Sequence, residues 1–238
     1  MSRAAPGITI ERLVDHLVAG AESDPMAGEL AEWLAGSKRL RAFAEAHRDK
    51  IRKKLRGATD AEARRDVRAE LRVASLLLAD RHVGLAWEAY GSTTGGPDFT
   101  VAYRGERGVN LEVTRQRRAP DTSYSGGPLL AKLRQLPPSS PNAVLIAIEG
   151  DRADALDVSS LVHGLRTRAD ARDEAFFSAR GLRGTREFYE RFLRLGAVVV
   201  WCDDAVGEAR ASTWTNRSAR IAVPERAMRA TLACLRAG

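Results

Sequence analysis

Residues 97–114 read PDFTVAYRGERGVNLEVT, and this stretch decides the fold. Two runs rich in β-branched and aromatic residues, Phe99–Tyr103 and Val109–Val113, flank the turn-forming RGERG, which is a hairpin signature. Side chains alternate between the two faces of a strand. Phe99, Val101, Tyr103, Val109, Leu111 and Val113 therefore share one apolar face, and Asp98, Thr100, Asn110, Glu112 and Thr114 share the other. With the turn centred near Glu106, Asp98 is expected opposite Thr114 and Thr100 opposite Glu112. Two carboxylates then project from one face of adjacent strands. A hard divalent cation is commonly held this way, by one or two carboxylates plus water and substrate phosphate. Half-buried hairpins also carry polar faces that bind nothing, so the pair alone does not fix the chemistry.

On the N-terminal side the pattern is helical. Ile10, Leu13, Val14 and Leu17 follow Thr9 at helical spacing, and Asp24-Pro25 opens a second helix that stops at Gly36. Ser37 caps a third, basic helix ending near Gly57. Thr59 and Glu62 form a capping box for a fourth, which runs to about Arg81. In that helix Val67, Leu71, Ala74 and Leu78 make an apolar stripe, and Glu70 adjoins it. A carboxylate there is desolvated unless a metal or a basic side chain compensates it.

On the C-terminal side Leu85–Tyr90 reads as a strand, residues 126–136 as a short helix ended by Pro137-Pro138, and Ala143–Ile148 as a buried strand. Helices are expected at about 153–172 and 184–195, a buried strand at 197–202, one or two short strands within 210–223, and a terminal helix after Pro224. The expectation is an α/β domain over 58–238, preceded by a small helical module over 1–57 that is basic at its end.

The helix bearing Glu70, a strand, GPDFTV, the hairpin, LEVT, a helix and a strand together resemble the PD-(D/E)xK, or restriction-endonuclease-like, nucleases. The resemblance covers residues 60–149 and implies an αβββαβ core on a mixed sheet. It also implies that Asp98, Glu112 and the backbone carbonyl of Val113 bind Mg²⁺, with Glu70 supporting that site. Mn²⁺ is a possible substitute. One position departs from the pattern: Thr114 stands where the family has its lysine. Arg115 and Lys132 are the two candidates to replace that charge. Lys132 is preferred, because alternation turns Arg115 to the opposite face and some members of the family carry the lysine on the following helix. Gln135, one turn on, is a polar helper.

Composition sets the outer limits. Of 238 residues 44% are apolar, which is ample for a core, and no apolar run approaches a membrane span. Two cysteines and an N-terminus without an apolar leader fit a cytoplasmic protein. The net charge is +7, and the stretch from Lys38 to Arg56 holds nine basic residues against Glu45 and Asp49. Such a stripe suits a polyanion. Lys50, Lys53, Lys54, Arg115 and Arg117 are the candidate nucleic-acid contacts. GSTTGG lacks the Lys-Ser/Thr of a P-loop, and the four histidines show no ligand spacing. The functional expectation is a Mg²⁺-dependent nuclease, acting on DNA in preference to RNA, with a homodimer as the candidate assembly. The alternative is a catalytically inactive nucleic-acid-binding or assembly protein on the same fold.

Overall fold

The structure, a computed structural model, describes residues 8–18, 25–88, 96–116, 126–149, 156–203 and 210–237. By packing, the chain divides into two compact units, Met1–Ala79 and Asp80–Gly238. The described part of the first unit is helical: α1 (Ile10–Val18), α2 (Pro25–Gly36), α3 (Lys38–Ala46), α4 (Arg48–Gly57) and α5 (Ala61–Ala79). The division falls one helix later than Gly57, because α3 and α4 pack on α5. Leu13, Leu17, Leu34, Ile51, Leu55 and Leu77 form the fully buried centre of this unit.

The single basic helix read from the sequence is two helices, broken at His47 (φ −113°, ψ 14°). The Ser37 hydroxyl accepts from the Leu40 N–H at 3.1 Å and caps α3. At the start of α5 the cap is Asp60, whose carboxylate accepts from the Ala63 N–H at 2.7 Å, rather than Thr59. Both side chains cap by the same chemistry, so adjacent candidates compete and geometry selects one.

The second unit is built on a six-stranded sheet. In spatial order it runs β1 (Val83–Trp87), β2 (Phe99–Tyr103), β3 (Val109–Arg115), β4 (Asn142–Glu149), β5 (Ala197–Asp203) and β6 (Arg210–Thr215). β1 through β3 are antiparallel, β3, β4 and β5 are parallel, and β6 returns antiparallel. The sheet is therefore mixed. α6 (Gly127–Leu133) joins β3 to β4. α7 (Val158–Asp170), α8 (Glu174–Ser178) and α9 (Thr185–Phe192) lie between β4 and β5, and α10 (Glu225–Arg236) closes the chain. The segment 210–223 yields one strand, and α8 is too short to leave a helical period in the sequence.

Val144, Ile146, Ile148, Val198 and Val200 pack with Leu129, Leu130 and Leu133 of α6 and with Val162, Phe188 and Phe192 of α7 and α9. The alternate residues face the other side, where the Trp201 indole donates to the Leu235 carbonyl of α10 at 3.1 Å. Burial on both faces explains why β4 and β5 are continuous apolar runs. No helix among the described residues is long and apolar enough to cross a membrane.

Hairpin register places the acids. Phe99 pairs with Leu111, Thr100 with Asn110 and Val101 with Val109. Asp98 thus falls opposite Glu112, not Thr114, two residues from the expected register. The turn is the cause. The Glu106 N–H donates to the Tyr103 carbonyl at 3.0 Å, and Arg104 (φ 50°) and Gly105 (φ 75°) occupy the left-handed positions of a tight hairpin turn. Two residues separate Val101 from Tyr103 along the chain but three separate Glu106 from Val109, so the return strand carries one extra residue. An even change of register preserves faces, and the polar face survives the correction.

Candidate active site

Glu112 lies in the middle of β3 and pairs with Val144, on the side of the sheet that α6 covers. Its neighbours on that face are Asn110, Thr114 and, across the hairpin, Asp98. Glu112 is 1% exposed and Asp98 is 9% exposed. The two are interlocked: the Asp98 N–H donates to Glu112 Oε2 at 3.2 Å, and the Val113 N–H donates to Asp98 Oδ2 at 2.8 Å. The Asp98 carbonyl accepts from the Glu88 N–H at 2.8 Å, and Glu88 holds a left-handed φ of 43°. Asp98 is consequently fixed through its amide, its carbonyl and its carboxylate.

Lys132 approaches from α6. Its ammonium forms an ion pair with Glu112 Oε1 and lies 3.4 Å from Gln135 Oε1. The lysine preferred from the sequence, on the helix that follows β3, thus reaches Glu112. α6 can do this because Leu129, Leu130 and Leu133 are fully buried against the sheet, which turns the intervening Lys132 towards β3. Burial, then the neighbouring charge of Asp98, push the Glu112 carboxyl up to about 7, against the opposing pull of Lys132. Burial and the second carboxylate together outweigh the lysine at Glu112.

A polar floor supports the cluster. The Thr100 hydroxyl donates to Asn110 Oδ1 at 3.0 Å, and Asn110 Nδ2 donates to Asn142 Oδ1 at 3.0 Å. Asn142 in turn donates to the carbonyls of Pro137, Ser140 and Arg194. These asparagines tie β2, β3 and the entry to β4 together one pair below Glu112. The sequence placed Asn110 on the polar face but held no signal for Asn142, whose bonds to Asn110 and Arg194 reach far along the chain.

Glu70 belongs to the N-terminal unit, where its carboxylate pairs with Lys54 of α4, a basic side chain that compensates it there. Lys54 is thereby engaged inside its own unit. Lys53 is exposed and Lys50 half-buried, while Arg39 and Arg41 donate to the Leu78 and Leu34 carbonyls. Arg115 is 5% exposed and belongs to the interior, as its place on the face opposite Glu112 requires. Arg117 lies outside the described residues.

Among the described residues there is no group of three or more acidic, histidine or cysteine side chains arranged to hold a metal. The donor set at hand is two carboxylates and the backbone at Val113. These hard oxygen donors suit a small cation that retains several waters. Comparison of the chain with protein-family models, with curated proteins and with solved structures finds no match.

Proposed function

We propose that this chain is a Mg²⁺-dependent nuclease built on a restriction-endonuclease-like core, hydrolysing phosphodiester bonds in nucleic acid, with DNA the first substrate to test. The observation that carries the reading is the convergence of Asp98, Glu112 and Lys132 at one buried spot on the sheet. The order helix, three strands, helix, strand over residues 61–149 is the order the resemblance implies.

Asp98 and Glu112, with the Val113 carbonyl, would hold the cation. When bound, Mg²⁺ supplies Lewis-acid polarisation of a phosphate oxygen and a lower pKa for coordinated water. The protein's own part is electrostatic. Lys132 carries a positive charge to the edge of the carboxylate pair, where it can stabilise negative charge developing on a phosphate. Gln135 is placed to orient that ammonium. Glu112, whose carboxyl is raised to about 7, would have to be ionised to hold the cation, so binding would release its proton. The exposed basic residues of α3 and α4 would add affinity for a phosphate backbone.

The test is cleavage of plasmid and oligonucleotide DNA, then RNA, in Mg²⁺ and Mn²⁺ with EDTA as the control. EDTA-sensitive cutting that disappears in Asp98→Ala is the expected result. Thr114 favours one second reading, a nucleic-acid-binding protein without catalysis. Binding of DNA with no cutting under any metal would establish that reading instead.

A further inference from the structure

We infer that Asn142 is a positioning residue for the cluster at Glu112: it fastens the exit of α6 to β3 and so sets Lys132 against Glu112. The inference rests on the nuclease reading for its effect on rate, and on the bonds around Asn142 for its geometry. Lys132 is the last but one residue of α6, a helix of seven residues. So short a helix has little stability of its own, and its place is set by what holds it. Leu129, Leu130 and Leu133 bury its inner face against the sheet. Apolar contact is non-directional, however, and does not fix how far the helix lies along the strands. Hydrogen bonds at the ends do that. The N-terminus of α6 follows Gly126, which has no side chain to offer as a cap.

The other end is held firmly. Arg191 donates to the Arg134 carbonyl and Arg194 to the Leu136 carbonyl, both at 3.3 Å. These carbonyls lie just past α6, where the helix dipole is negative, so the two guanidiniums act as caps. Asn142, fully buried at the start of β4, adds a directional hold. Its side-chain amide donates to the Pro137 and Ser140 carbonyls at 2.8 Å and to the Arg194 carbonyl at 2.9 Å. Its Oδ1 accepts from Asn110 Nδ2 at 3.0 Å. Asn110 stands two residues before Glu112 on the same face of β3, about 7 Å away along the strand. Asn142 thereby joins the segment leaving α6, the end of α9 and the strand that carries Glu112.

The chemistry of the position selects asparagine. Three carbonyl oxygens converge on Asn142 Nδ2 and one N–H on its Oδ1, so donor and acceptor are needed on one planar group. An aspartate would set a carboxylate against those carbonyls, and a leucine would leave the buried polar atoms around it without this partner. The bond to Asn110 is the part that reaches the cluster. It relates the exit of α6 to the strand bearing Glu112, and Lys132 stands at that end of the helix. Displacement of a charged group by about 1 Å from its working position can cost on the order of a hundredfold in rate. Loss of the tie should therefore act on the chemistry through Lys132, apart from any effect on stability.

The test has two arms. The first measures kcat and KM for Asn142→Ser in the parent chain and again in Lys132→Ala. In the parent chain kcat should fall roughly tenfold or more with KM little changed, and in Lys132→Ala it should fall no further. A merely structural asparagine would lower kcat by the same factor in both backgrounds. The second arm needs no activity. Lys132→Met and Glu112→Gln, singly and together, give the coupling between the pair by chemical denaturation. That coupling should be present in the parent chain and largely lost in Asn142→Ser. Equal coupling in the two backgrounds, or equal losses of kcat, would overturn the inference. A parent chain that cuts neither DNA nor RNA refutes the nuclease reading alone, and the coupling then decides the role of Asn142. Should Asn142→Ser fail to fold, Asn110→Ala, which cuts the tie to β3, carries both arms with the same expectations.

Discussion

Two lysine–glutamate pairs, one in each unit, use the same chemistry to different ends. Lys54–Glu70 joins α4 to α5, with side-chain exposures of 25% and 15%. Lys132–Glu112 joins α6 to β3, with exposures of 22% and 1%. The lysines are alike and the acids are not. Glu70 meets its cation at the margin of a helical interface, whereas Glu112 is sealed into the sheet beside a second carboxylate, Asp98. The first joins a partly exposed carboxylate to a partly exposed ammonium. The second leaves a buried acid that burial and a like-charged neighbour both disfavour in its ionised form. Imbalance of that kind is expected where a cation is to be bound, because the cation then relieves it.

The largest effect should come from Asp98→Ala. Cleavage is expected to fall to background while DNA affinity at moderate salt changes little, since removing an acid does not weaken attraction for phosphate. The matched change in the other pair is Glu70→Gln, which should lower the thermal midpoint yet retain most cleavage. Should Glu70→Gln remove cleavage with the midpoint unchanged, the two pairs are not different in kind and Glu70 acts in the chemistry. Gel-based cleavage and calorimetric melting, run on both variants, settle this.

Lys132→Ala comes next, with an expected loss of roughly a hundredfold in kcat, the scale for removing one group that stabilises transition-state charge. It should also push the Glu112 carboxyl further up, because the opposing pull of the ammonium is gone. Lys54→Ala provides the contrast. It should reduce stability only modestly, as befits a partly exposed pair, and leave kcat in place. A silent Lys132→Ala with active parent enzyme would remove Lys132 from the mechanism.

The parts of this comparison that were legible in the sequence were the local ones. Period-two alternation from Phe99 to Val113 placed Asp98 and Glu112 on one face, and an even register change leaves such an assignment standing. The register itself was not legible. It depends on where the chain reverses and on one extra residue after Glu106, neither of which a hydrophobic pattern records. Lys132 was singled out by the resemblance, in which some members carry the lysine on the following helix, and by the alternation that turns Arg115 away. Lys54 as the partner of Glu70, the depth of Arg115 and the Asn110–Asn142 bond depend on packing between elements distant in sequence. Such interactions leave no spacing to read.

A titration of stability separates the pairs by a smaller margin. Glu112 has a native pKa of about 7 against an ordinary value of 4.5, so the metal-free native state holds its proton more tightly than the unfolded chain does. The sign follows from linkage. This contribution to stability is fully present below about pH 4.5, is lost as the pH rises towards about 7, and changes no further above it. Its size is on the order of 3 kcal/mol, at about 1.4 kcal/mol per pH unit. Chemical denaturation of the parent chain from pH 4 to pH 8 in EDTA should show the decline, and Glu112→Gln should flatten it. An unchanged profile in Glu112→Gln would show that this acid is not the buried, disfavoured group of the comparison.

The smallest effect concerns the basic stripe, and here the ion pair in the N-terminal unit alters what should be mutated. Replacing Lys50, Lys53 and Lys54 together would mix two consequences, because Lys54 holds Glu70. Lys53 and Arg56 are both exposed on α4, and Ile51 and Leu55 anchor the opposite side of that helix. Lys53→Ala with Arg56→Ala should therefore leave the thermal midpoint within experimental scatter. For each phosphate that the double variant no longer neutralises, the slope of log affinity against log salt should become shallower by about one unit. Measuring DNA affinity across a range of salt concentrations reads this directly. A slope unchanged in the double variant would assign these charges to solubility, and would leave recognition of nucleic acid to the sheet domain alone.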